Sequence, residues 1–304
     1  MGFIKKTFKR LSKFWLYWYY CVCAPAIRRE VDFKIMGIDD TLDEVFRKRK
    51  TLIRFGDGEL RLLMKVGDTG FQQRNDRLEI RLKEILCCGE NEGMLLCLPG
   101  SLGARGTKYK LLKPANFFWN EFTYKYEKEL KLCGEKLSEM EFGDAFVSRP
   151  YIDIQNFEFA NQVFSRVKRE LKGKDVLIVE GRLSRFGVGD DLLCEAKRVR
   201  RILGPEVNAF EQYGKILERA SREELVDVVI LSLGPTAKLL AYDLTKLGFW
   251  CLDLGHLDIE YEWYRMKAQK KVSINNKYVN EVKDKFISVG DLDLNYEKEI
   301  IYEC

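Results

Sequence analysis

From residue 31 onward, short apolar or β-branched runs alternate with longer segments whose apolar residues recur every three or four positions. The short runs predict strands over 51–55, 94–98, 145–148, 175–180, 199–203, 226–233 and 249–254. The longer segments predict helices over 40–49, 74–87, 108–132, 157–171, 190–197, 210–220, 236–247 and 259–270, with a short one over 60–65. Alternating strand and helix imply an α/β, Rossmann-like fold with a mainly parallel central sheet and helices on both faces. The stretches DVLIVEG and VDVVILSLGP are almost wholly apolar, as central strands covered on both sides must be.

The first thirty residues follow another pattern. Ile4, Phe8, Leu11, Trp15 and Trp18 share one face of a helix, and Lys6, Lys9, Arg10 and Lys13 lie away from it. A basic, aromatic, amphipathic helix over 1–30 is suited to lie in the interface of an anionic membrane. Packing on the protein's own body stays open, as does a signal or anchor, because Ala24-Pro25-Ala26 faintly resembles a cleavage site. The apolar stretch 14–26 is shorter than the ~20 residues a bilayer span takes. The chain thus divides into this helix and a domain over 31–304.

Composition narrows the class. With 46% hydrophobic and 33% charged residues over 304 positions, the chain can bury a large core and is not a disordered one. Six prolines and no Ser/Gly/Pro-rich run leave no linker, which favours one main domain. The net charge is +5, yet Lys5, Lys6, Lys9, Arg10, Lys13, Arg28 and Arg29 stand against Glu30 alone in the first thirty residues. The remainder is slightly acidic, which argues against a nucleic-acid-binding body. Nine cysteines, an odd number partly inside apolar runs, read as buried free thiols in a reducing compartment. Their spacing and the single histidine argue against a structural zinc site.

In parallel sheets, ligands bind beyond the carboxyl ends of the strands, and those ends carry the candidate chemistry here. The first is Arg54-Phe55-Gly56-Asp57-Gly58-Glu59. Asp57 and Glu59 suit one Mg²⁺ or Mn²⁺ shared with substrate phosphates, with Arg54 beside them for a phosphate; the alternative is a solvated turn whose acids cap the next helix. The second runs from Glu180 to Asp191, where Ser184, Arg185, Gly187, Gly189 and Asp191 make a diphosphate cradle or a plain glycine-rich loop with Asp190 as N-cap. It is not a dinucleotide fingerprint, since Gly187 and Gly189 lie too far past the strand and a third glycine is missing. Asn208 and Thr236 follow two further strands, at positions open to nucleotide contact or to simple turn chemistry. His256, the single histidine, follows another, and is either a structural residue or a ligand.

Together the segments RFGDGE (54–59), SRFGVGDDLL (184–193), RRILGPEVNAFEQYGKIL (200–217), LSLGPTAKLLAYDL (231–244) and DLGHLDIEYEWY (253–264) resemble the GT-D glycosyltransferases, known also as domain-of-unknown-function family 1792. They occur in the family's order over most of residues 40–265; the N-terminal helix and the tail beyond about 270 lie outside them. One position departs, Asp190, where the family pattern tends to Asn. The resemblance implies a GT-D-type Rossmann-like core and transfer of a sugar from a nucleotide-sugar donor. It implies a UDP-sugar such as UDP-glucose, and a bacterial surface glycoprotein or polysaccharide as product. It implies that Asp57 and Glu59 engage a divalent metal and the donor diphosphate. Charge developing on the leaving diphosphate would then be met by that metal, Arg54, Arg185 and backbone N–H groups from the glycine turns, Gly56 among them. Asn208 and Thr236 would orient the nucleotide, and His256 would contact metal or diphosphate. Asp258 is the candidate acceptor base. Peripheral attachment to the inner face of the plasma membrane and a lipid-linked glycan acceptor fit the N-terminal helix; a homo-oligomer stays open. The rival expectation is a catalytically degenerate, membrane-associated nucleotide-binding scaffold. An oxidoreductase is disfavoured by the missing fingerprint.

Overall fold

The computed structural model describes residues 2–67, 69–87, 93–107, 109–288 and 294–304, with side chains from residue 15 onward except Leu294. Nine strands form one sheet among these residues. They are β1 (Lys34–Ile35), β2 (Thr51–Arg54), β3 (Met94–Leu98), β4 (Glu141–Asp144), β5 (Asp175–Gly181), β6 (Arg198–Gly204), β7 (Val228–Ser232), β8 (Cys251–Asp253) and β9 (Ile300–Glu303). Their order is β1-β4-β3-β2-β8-β7-β5-β6-β9, and every pairing is parallel. β3 and β5 are buried at every residue, which is why they read as unbroken apolar runs.

Eleven helices accompany the strands among the described residues. They are α1 (Gly2–Val31), α2 (Ile38–Phe46), α3 (Asp57–Leu63), α4 (Asp76–Cys87), α5 (Lys113–Lys125), α6 (Glu127–Leu137), α7 (Phe157–Leu171), α8 (Tyr213–Ser221), α9 (Thr236–Lys246), α10 (Leu257–Arg265) and α11 (Leu294–Glu299). α7 shows how sequence sets an element: Asn156 accepts from the Phe159 N–H at 3.0 Å, and Ala160, Val163, Phe164, Val167 and Leu171 make one buried stripe.

Three expected elements differ. The run 145–148 is a 3-10 turn, and the strand is the preceding Glu141–Asp144. Gly143 lies so close to β3 that a Cβ there would stand 2.5 Å from Cys97 Sγ, so close backbone approach replaces side-chain bulk in this strand. Asp144 then ends it by accepting from the Gly100 and Phe146 N–H groups, both at 2.9 Å. The segment 190–197 is a run of turns and bends, opened by the Leu192 N–H donating to Asp190 at 2.8 Å. The span 108–132 divides at Tyr126 (φ −112°, ψ 26°) into α5 and α6. The mainly parallel sheet is wholly parallel, and two short strands, β1 and β9, go beyond the expected set.

Helix α1 runs along α5 and α6. Tyr20, Ala24, Ile27 and Val31 are buried, Arg28 donates to Asn120 at 2.6 Å, and the Val31 carbonyl sits where a Cβ on Gly134 would stand 2.3 Å away. Its other face leaves Trp15, Leu16, Trp18, Tyr19 and Val22 exposed. The side chains of Ile4, Phe8 and Leu11 lie outside the described residues. No helix among the described residues is long and apolar enough to cross a membrane. Every described cysteine is a free thiol.

Candidate functional site

A cavity of about 400 Å³ opens at the carboxyl ends of β2, β8, β7, β5 and β6. On its β2 side the chain leaves the strand at Arg54 and enters α3 at Asp57, with Gly56 as the extended N-cap residue. Glu59 turns back and accepts the Gly56 N–H at 2.9 Å, which fixes the turn. Its other oxygen meets the Lys238 ammonium at 3.0 Å. Lys238, from α9, also reaches Asp253 at 3.2 Å and the Gly234 carbonyl at 3.2 Å. Asp253, at the end of β8, is held by Arg54: Nη2 lies 3.0 Å from Oδ1, the Arg54 N–H 3.1 Å from Oδ2, and Nε donates to the Asp253 carbonyl. Arg54 Nη1 donates to Ser148. A buried chain of alternating charge therefore runs Arg54–Asp253–Lys238–Glu59. Burial works against the Asp253 carboxylate, yet Arg54 and Lys238 hold it below its ordinary range.

Asp57 is different. It projects from the first turn of α3, about a third exposed, with Arg61 one turn on at 2.6 Å. Burial raises its pKa, against the pull of Arg61. Farther round the wall, Arg149 pairs with Glu281 at 2.7 Å, and Glu281 stands 3.4 Å from His256 Nε2. Burial pulls the His256 pKa down to about 4, so the imidazole is neutral near pH 7. Burial opposes ionisation of Glu281, but Arg149 and His256 draw its pKa far down.

Of the residues singled out from sequence, Arg54, Gly56, Asp57, Glu59, Ser184, His256 and Asp258 line this cavity. Ser184 shares a 2.8 Å hydrogen bond with Ser232. The others stand behind the wall. Arg185 adopts φ 51° and lays its guanidinium 4.7 Å over the Tyr296 ring. Gly187 (φ 73°) donates to Asp258 at 2.7 Å, and the Gly189 carbonyl accepts from Arg265 at 3.1 Å. Asp191 is taken by Lys168 and the Tyr261 hydroxyl, each at 2.5 Å. Asn208 (φ 55°) accepts from the Gln73 N–H at 2.9 Å and so shapes the loop facing the cavity. Thr236 is fully buried, its hydroxyl without a hydrogen-bond partner among the described residues. Asp258 faces the cavity, but its carboxylate is committed to Lys277 and the Gly187 N–H. Asp190 is also paired with Lys277, at 3.1 Å, which offsets the charge that an Asn would not carry.

Sequence reasoning missed Lys238, Arg149, Glu281, Phe71 and Tyr278. Lys238 sits two residues into the Gly-Pro-Thr helix start and was legible as a cation near a strand end. Tyr278 and Glu281 lie on a tail without periodic pattern, which no spacing argument reaches.

A divalent cation is the group this kind of site implies. No set of three His, Cys, Asp or Glu side chains converges as a metal cage among the described residues. Mg²⁺ or Mn²⁺ bound by one or two carboxylates together with substrate phosphates needs no such cage. Asp57 fits that use, being at the wall and partly exposed. Glu59 has a donor on each oxygen, and so fixes the turn that presents Asp57.

Residues 52–282 match the family model described as the glycosyltransferase GT-D fold. A probable glycosyl transferase, Gly, of Streptococcus gordonii is 34% identical over 90% of this chain and 39% of its own length. The glycosyltransferase GlyD of Streptococcus pneumoniae is 34% identical over 82% of this chain and 30% of its own. The chain thus spans less than two fifths of these relatives. Among solved structures, a conserved domain of unknown function 1792 with a distinct glycosyltransferase fold superposes with a TM-score of 0.83 at 33% identity, over 91% of this chain and 98% of that one. A glycosyltransferase of the same domain type from Streptococcus sanguinis does so with a TM-score of 0.79 at 31% identity, over 90% and 99%. The matched span takes in the tail as far as residue 282, and with it the Lys277–Glu281 segment that completes the cavity. Family model, fold and relatives agree: this chain belongs to the glycosyltransferase GT-D fold family.

Proposed function

We propose that the protein transfers a hexose, glucose or a similar sugar, from a UDP-sugar onto a growing bacterial surface glycan, with a divalent cation at Asp57. The observation that carries this reading is the cavity itself. A partly exposed carboxylate, Asp57, and the cations Arg61, Lys238 and Arg149 line one wall beyond the strand ends. Carboxylate plus cations is the donor set a nucleoside diphosphate and its counter-ion require. When bound, Mg²⁺ or Mn²⁺ would neutralise charge on the leaving diphosphate. The chain's own residues do the rest. Glu59 and Lys238 keep the Asp57 turn in place, Arg61 and Arg149 attract the diphosphate, and Ser184 and Ser232 offer hydroxyls at the opposite wall. His256 and Glu281, neutral and anionic, order Arg149 from behind.

The exposed aromatic face of α1, following a strongly basic start, supports attachment to an anionic membrane surface, where a lipid-linked glycan would be within reach. Calorimetric titration with nucleoside diphosphates and their sugars, with and without Mn²⁺, tests the core of the reading. Metal-dependent binding of UDP and of one UDP-sugar is expected. A folded chain that binds no nucleotide would be a degenerate scaffold instead.

A further inference from the structure

We propose that the tail segment 274–282 forms the nucleobase wall of the cavity, with Lys277 as the positioning residue that presents Tyr278 to an aromatic heterocycle; the inference rests on the nucleotide-sugar reading above. Lys277 is buried, its side chain 3% exposed, although it lies on a tail without helix or strand periodicity. Its ammonium stands 2.8 and 2.7 Å from the two oxygens of Asp258, 3.1 Å from Asp190 and 3.7 Å from Glu262. A lysine enclosed by three carboxylates has one place to be, and it fixes the backbone that carries it. The neighbouring Tyr278 N–H donates to the Leu183 carbonyl at 2.9 Å, which ties the tail to the loop after β5. Val279 is fully buried and its N–H donates to Lys285 at 2.7 Å, so the segment folds back on itself.

Held in this way, Tyr278 lines the cavity and meets Phe71 edge-on, with ring centroids 5.9 Å apart. Phe71 is placed independently. Its carbonyl accepts from the Asn208 N–H at 2.8 Å, and its Cβ would lie 3.1 Å from a Cβ on Gly234. Loop and tail touch as well, since a Cβ on Gly70 would stand 2.2 Å from the Asn280 side chain. Two rings from separate segments, inclined at 64° to each other, therefore form an aromatic corner above β7 and β5, while Asp57, Arg61 and Lys238 stand toward β2 and β8. A nucleoside diphosphate has the matching polarity, anionic at one end and a π-face at the other.

Titration of the full chain with UDP and with inorganic pyrophosphate, both with Mg²⁺, separates the two ends of the cavity. Loss of a stacking ring weakens binding roughly tenfold. Tyr278→Ala and Lys277→Met are expected to weaken UDP by about that factor and to leave pyrophosphate within about twofold, with Lys277→Arg restoring most of the UDP affinity. Should Lys277→Met not fold, Tyr278→Ala decides. Equal weakening of both probes, or of neither, overturns the proposal, as does a wild type that binds UDP no tighter than pyrophosphate. A wild type that binds neither removes the nucleotide-sugar reading, and this inference with it.

Discussion

Asp57 and Glu59 are one residue apart and do different work. Asp57 Oδ2 meets the part-exposed Arg61, a pair of the kind worth about 0.3–0.5 kcal/mol. Glu59 closes the helix cap and contacts the buried Lys238, so its loss unmakes a cap and uncovers a cation, about 1–2 kcal/mol. Asp57→Ala should therefore unfold at nearly the wild-type urea midpoint while donor turnover falls at least ~100-fold. Glu59→Ala should lose both stability and turnover. An active Asp57→Ala enzyme would sink the metal assignment. The acid-x-acid pair was legible in the sequence, but its division of labour was not, because Lys238 and Asp253 come from distant strand ends. Asp144 offers a second test at this scale. Burial raises its pKa to about 6 despite hydrogen bonds from Gly100, Phe146 and Tyr109. The native state thus holds a proton that the unfolded chain, titrating near 3.8, has released. That contribution is full below pH 3.8 and is lost as the pH rises through 6. Relative to Asp144→Asn, the wild type should gain up to about 3 kcal/mol between pH 7 and pH 4. Urea melts of both proteins across that range would show it, and a constant difference would contradict it.

At the scale of elements, strength of pattern decided what could be read. Strands β5 and β7, apolar at nearly every position, fall close to their expected limits. β4 was displaced onto the apolar run after it, because Gly143 substitutes close approach for side-chain bulk and Asp144 turns the chain. The glycine-rich run before 190–197 predicts a helix after it, but Asp190 pairs with Lys277, far along the chain. Helix α1 packs on the protein's own body, and the membrane role proposed for it rests on its outer face. Its later half is part of the body through Tyr20, Ala24, Ile27 and Val31, and its exposed aromatics continue from the basic start. Removing residues 1–14 should therefore abolish binding to anionic vesicles and leave the melting temperature within a degree or two. Removing 1–26 should also uncover α5 where Tyr17 and Tyr20 lie against Phe117, and lower stability by several kcal/mol. Vesicle sedimentation with thermal melts distinguishes the two truncations. Retention of the chain lacking 1–14 on vesicles would refute the role of the basic start, and retention of the chain lacking 1–26 would refute the membrane role of α1 altogether.

Across the whole molecule, periodicity predicted a parallel sheet but could not give its order, which depends on long-range packing. The order places residues 34–144 on one side and 175–303 on the other, with β2 and β8 as the seam. That seam has a single registered pair, Leu52 with Leu252. Side chains reinforce it: Thr51 with Thr245 at 2.7 Å, Trp250 Nε1 to the Lys50 carbonyl at 3.1 Å, and Arg54 with Asp253. The cavity lies across the same junction, with Asp57 and Arg61 on one half and Lys238 and Tyr278 on the other. A ligand filling it would clasp both halves, so binding should read out as resistance to global unfolding. At about a hundred times its Kd, UDP with Mn²⁺ adds about 2.7 kcal/mol to the native state. For a chain of this length that corresponds to a rise of about 4 °C in Tm. Asp57→Ala should lose the part of the shift that depends on Mn²⁺ and keep a smaller, metal-independent part from the cations. If the wild-type shift were the same with Mn²⁺ and with EDTA, the diphosphate would be held by Arg61, Lys238 and Arg149 alone. The carboxylate at the helix start would then serve the acceptor and not the donor.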